Sequence, residues 1–98
     1  MIMVTAKITA KPGEKDKIIL KSQNLIKSTR LELGCISYNL YASTEDDDTL
    51  LMFEQWENHD VLKLHMVTKH FKSFNESIKD NIAKEVEIKV YMGDKLQF

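Results

Sequence analysis

The chain has 98 residues, with 14 Lys+Arg against 15 Asp+Glu and a formal charge of −1. That balance, with acids and lysines interspersed, excludes a basic groove for nucleic acid and gives no attraction to a membrane surface. A single cysteine, Cys35, excludes an internal disulfide, a zinc ribbon and a CxxC redox motif.

Ile2, Val4, Ala6, Ile8 and Ala10 alternate with polar or exposed-type residues, which is the period of a strand. Lys11-Pro12-Gly13 stops it. A helix is expected next, carrying the stripe Ile18, Ile19, Ser22, Leu25, Ile26, Thr29 and Leu33, with Gly34 as its C′ residue. Residues 35–43 and 49–57 are rich in strand formers and flank the polar turn Thr44-Glu45-Asp46-Asp47-Asp48, which reads as a hairpin. Asn58 is placed to cap a helix whose inward face is Val61, Leu64, His65 and Thr68. The following face, Val67, His70, Phe71, Phe74 and Ile78, is rotated from it, so a break is expected near Thr68-Lys69. Val86, Ile88, Val90 and Met92 alternate as a last strand.

The order strand, helix, strand, strand, helix, strand is the α+β, ferredoxin-like split βαβ arrangement (βαββαβ), in a single domain over 1–98. Helices in it cover one sheet face, yet the strand Leu50 to Trp56 is apolar on both. A second copy packing sheet to sheet, as a homodimer, would cover the other face. Nothing approaches the length of a membrane span, and Lys7 and Lys11 interrupt any leader-like apolar run, so a cytoplasmic protein is expected.

Chemistry concentrates between Phe53 and Phe71. Glu54 shares a strand face with Leu50, Met52 and Trp56, and a carboxylate there is desolvated unless it is paired. His65 should point at the same layer, where Glu54 would orient its imidazole and raise its basicity. His70 is also inward, but five residues on a continuous helix separate it from His65 by about 140°. The two meet only if the helix breaks. Metal ligation on a regular helix prefers a spacing of four, so no metal is expected. Neither a GxGxxG nor a Walker A loop is present, and no cofactor is implied. The acidic turn lacks the glycine and spacing of an EF-hand loop. Cys35 reads as a structural thiol, His59 as exposed, and Trp56 as a core indole needing a partner for its N–H. Tyr38 and Tyr41 lie on opposite strand faces, so only one can reach a sheet–helix pocket.

The segments Glu32-Leu33-Gly34-Cys35-Ile36-Ser37-Tyr38-Asn39-Leu40-Tyr41, Phe53-Glu54-Gln55-Trp56 and His65-Met66-Val67-Thr68-Lys69-His70-Phe71 resemble the antibiotic biosynthesis monooxygenase family. That family includes quinol monooxygenases and an isomerase of a phosphorylated autoinducer. The resemblance implies a dimeric α+β barrel and, in several members, oxygenation of phenols or quinols without metal or flavin. It implies His65, His70 and Glu54 as catalytic residues, and Trp56, Tyr38, Asn39 and Phe71 as the substrate pocket. Haem-degrading relatives use an asparagine of the first strand, absent here, and have a histidine where this chain has Met66, so haem is not expected. The partners expected are a small phenolic or quinol molecule and dioxygen. Two alternatives stay open: an isomerase of a small carbonyl compound in the same pocket, and a non-catalytic ligand-binding dimer.

Overall fold

The computed structural model describes residues 1–97. The elements are β1 (Ile2–Thr9), α1 (Lys15–Thr29), β2 (Cys35–Ala42), β3 (Thr49–Trp56), α2 (His59–Met66), α3 (Lys69–Ser77) and β4 (Glu87–Met92). The strands form one antiparallel sheet in the order β2-β3-β1-β4, so the fold is the α+β, ferredoxin-like one. Among the described residues, no helix is long and apolar enough to cross a membrane.

Strand alternation decides which side chains meet the helices. Leu50, Met52, Glu54 and Trp56 of β3 are all buried, as are Ile2, Val4 and Ile8 of β1. Leu51, Phe53 and Gln55, on the other face, are only half-buried. In β2 the register slips between Cys35 and Ser37, leaving Ile36 as an extra residue. This bulge turns Tyr38 inward against Glu54 and leaves Asn39 on the opposite face.

Helix α1 buries Ile18, Ser22, Leu25 and Thr29, the centre of the expected stripe. It ends at Thr29, however, so Leu33 lies beyond it and is exposed. Gly34 is therefore not the cap of α1. It takes φ +83° in the connection to β2, and an added Cβ would lie 2.7 Å from the Val61 methyls. Glycine is required there because α2 packs on bare backbone. Along α2 the buried residues are Val61, Leu62 and His65; Leu64 and Val67, expected inward, are exposed. Val61 and His65 face inward as expected, and Leu62 takes the inward place expected for Leu64.

The break between α2 and α3 is built by Thr68. Its extended backbone (φ −70°, ψ 154°) ends the first helix, and its hydroxyl accepts the Phe71 N–H at 3.3 Å while donating to the His65 carbonyl at 2.7 Å. One side chain thus closes α2 and caps α3. Asn58 opens α2 in the same manner, accepting from the Val61 N–H at 3.0 Å.

Candidate active site

A solvent-open cavity lies between the inner sheet face and the three helices. Its walls are aliphatic and aromatic, and only Tyr38, Glu54, His65 and Asn75 add polar groups. Among the described residues no lysine or arginine lines it.

His65 is 1% exposed and is caged by aromatic rings, with centroids at 4.7 Å to Trp56, 4.9 Å to Phe71 and 5.4 Å to Tyr38. Its Nδ1 is 2.8 Å from Glu32 Oε2. A carboxylate accepts only, so the proton sits on Nδ1 and Nε2 carries a bare lone pair. That Nε2 is buried with no hydrogen-bond partner, although His65 lines the cavity. Desolvation by the ring cage pushes the imidazole below its ordinary pKa, and Glu32 opposes that shift. The result is a neutral base whose Nε2 lone pair is buried and unpartnered beside the cavity.

The break at Thr68 brings His70 to the same carboxylate, its Nε2 2.7 Å from Glu32 Oε2 and its ring centroid 6.2 Å from that of His65. His70 is 20% exposed and does not line the cavity. It supports Glu32 from the solvent side. Glu32 itself was not singled out as a site residue from sequence. It stands between two exposed leucines, Leu31 and Leu33, and looks like a loop acid; the only hint was its place at the head of the first family-like segment.

Glu54 corrects the expected pairing with His65. Its Oε1 accepts the Trp56 indole N–H at 3.0 Å, and Glu32 holds the histidine instead. Glu54 is 4% exposed, and burial pushes its carboxyl up to about 7, against the opposing Trp56 bond. It lines the cavity as a group that is both acid and base near neutrality. Trp56 is fully buried and does not line the cavity; it backs His65 and Glu54 rather than walling a substrate. Tyr38 and Phe71 do line it, and burial pushes the Tyr38 phenol well up. Asn39 is outside: the bulge turns it to the opposite face, where its Oδ1 accepts from Arg30 at 2.8 Å.

Glu32, His65 and His70 are the one group among the described residues with enough convergent donors for a cation, their ligand atoms lying within 4.8 Å of one another. The two short bonds to Oε2 account for one ring nitrogen of each histidine and leave His65 Nε2 without a partner.

Glu54 has a pH signature. Its folded pKa, about 7, stands above the unfolded value of 4.5, so the folded state holds the proton more tightly. Its contribution is favourable below 4.5 and is lost as pH rises toward and beyond 7, by about 3 kcal/mol at most. His65, with a depressed pKa, works in the other direction as pH falls. The difference between wild type and Glu54→Gln therefore isolates the carboxyl. In urea titrations Glu54→Gln is expected to gain stability relative to wild type between pH 5 and 8; a constant difference would contradict the buried carboxyl.

The comparisons agree with this architecture. Residues 1–77 match the family model described as antibiotic biosynthesis monooxygenase. An uncharacterised protein of Synechocystis, sll1783, is 41% identical over 92% of this chain; the match covers 61% of that protein, so the chain spans under two thirds of that relative's length. The probable quinol monooxygenase YgiN of Escherichia coli is 26% identical, over 92% of this chain and 95% of its own. A crystal structure of a conserved protein from Methanosarcina mazei superposes with a TM-score of 0.90 at 32% identity, covering 95% of this chain and 92% of that one. With the family model spanning most of its length and the fold matched end to end, the chain belongs to the antibiotic biosynthesis monooxygenase family.

Proposed function

We propose that this protein is a monooxygenase of a small, neutral phenolic or quinol substrate, with His65 as its general base and dioxygen as co-substrate. The observation that carries this is the unpartnered Nε2 of a neutral, buried histidine that lines an apolar cavity. A substrate hydroxyl gives its proton to Nε2, and the Glu32 carboxylate stabilises the imidazolium that forms. The electron-rich quinol anion then bonds through a ring carbon to dioxygen, and the peroxide is protonated by the His65 imidazolium or by Glu54. Loss of water across the O–O bond leaves a hydroxyquinone, so quinol plus dioxygen gives hydroxyquinone plus water. The organic anion supplies all four electrons, and the protein supplies deprotonation, positioning and exclusion of water.

An isomerase of a small carbonyl compound would use the same pair, His65 as base and Glu54 as acid, without oxygen. The absence of lysine and arginine from the lining disfavours a phosphorylated substrate for it. Oxygen uptake by metal-stripped protein with a panel of hydroquinones tests the proposal. Equal turnover under argon would sink the oxygenase and favour the isomerase.

The working unit proposed is a homodimer. Among the described residues no helix covers the half-buried outer face carrying Leu51 and Phe53, and a second sheet would cover it. Light scattering is expected to read twice the chain mass; a monomer at micromolar concentration would contradict this.

A further inference from the structure

The cavity is longer than its polar end. Strand pairing sorts its sheet wall into rows. The first row is Tyr38, Glu54, Val4 and Val90, level with the polar groups. The second is Met52, Ala6 and Ile88, and Ile8 of β1 begins a third. All polarity from the sheet lies in the first row. From Val4 to Ile8 the sheet wall is aliphatic, and four residues at about 3.3 Å each span about 13 Å of strand, the reach of roughly ten methylenes. Leu25 and Phe74 line it from the helices. Ala6 is the smallest residue on this track and is only half-buried, although Val4 and Ile8 on either side are buried. A gap therefore stands over the middle of β1, where a larger side chain would have filled it. Ile88 and Val90 face the same gap and stay about half exposed, at 51% and 53%.

We infer that the substrate carries a linear, uncharged apolar tail of about eight to ten carbons beside its hydroxylated ring. The ring sits between His65 and Glu54, and the tail lies along β1 over Ala6 toward Ile8. This rests on reading the cavity as the substrate site, and it names the class of molecule that site takes. A lining without a cation gives nothing to bind an anionic tail, and an aliphatic trough rewards each buried methylene. Asn75, an exposed residue of α3, is the one further polar lining group and lies on the helix side rather than on the floor.

The test is binding of 4-alkylphenols, from methyl to decyl, followed by fluorescence of Trp56, the single tryptophan, which packs on His65. Affinity is expected to rise about threefold to fourfold per added methylene and to level off near ten carbons. Ala6→Leu, which fills the gap, should collapse the octyl-to-methyl affinity ratio at least tenfold. Ile88→Phe, at a half-exposed site, should narrow the same level and lower that ratio too. Affinity independent of tail length, or a tail gain surviving both variants, would overturn the inference, because the tail would then lie elsewhere on the surface. Since binding is read without turnover, tail-dependent binding with no oxygen uptake sinks the oxygenase and leaves this inference standing. Oxygen uptake with no tail dependence does the reverse.

Discussion

His65→Gln is expected to lower hydroquinone-dependent oxygen consumption by about 10²–10⁴-fold, the range for removing a positioned general base. The substitution keeps a polar side chain of similar volume in the ring cage, so the loss should fall on kcat more than on folding. The expectation follows from the hydrogen-bond inventory of one ring. Nδ1 is engaged by Glu32 at 2.8 Å, and Nε2 has no partner within a buried site. A buried polar atom left bare costs roughly 1–3 kcal/mol, which a satisfied core histidine would avoid. A merely structural histidine would lose thermal stability on substitution and no turnover. Activity within a fewfold of wild type would remove His65 from the chemistry.

Glu32→Gln should follow closely, with a loss of roughly 10²–10⁴-fold, since the analogous carboxylate-to-amide change in a serine hydrolase triad drops kcat about 10⁴ through the wrong tautomer. Glutamine keeps one accepting oxygen but sets an NH2 donor beside the two ring N–H groups that now meet a carboxylate. It also removes the charge that holds the His65 pKa up against burial. The acid limb of the kcat/KM profile should therefore move to lower pH, a readout that a purely structural role would leave in place. An unchanged profile with lowered activity would assign Glu32 to the fold alone.

The architecture was legible because strand alternation and punctuation are local signals. The inward row Leu50, Met52, Glu54 and Trp56 and the break at Thr68 follow from spacing alone. The helix faces were less so, because periodicity does not say which of two neighbouring apolar residues a tertiary partner will cover. Leu62 is buried and Leu64 is not, although both flank the inward Val61 and His65 on the same helix. Asn39 was misplaced because a bulge is a backbone event, and Ile36 carries no mark of being the extra residue. Glu32 was missed for a related reason. Its role depends on a connection after α1 that folds back onto α2 and α3, 33 and 38 residues away in sequence. Glu54 was correctly singled out as a desolvated carboxylate, yet its partner proved to be the indole two residues on, and no pattern along the chain distinguishes that pairing from one with His65.

The central claim is that His65 stands in the cavity as a neutral imidazole, protonated at Nδ1 and bare at Nε2. Nitrogen-15 NMR of the histidine rings at neutral pH tests it most directly. The account predicts the Nδ1–H tautomer for His65, with the Nε2 resonance moving when a phenol binds and the Nδ1 proton retained through its bond to Glu32. An Nε2–H tautomer, or an Nε2 resonance indifferent to bound phenol, would contradict it.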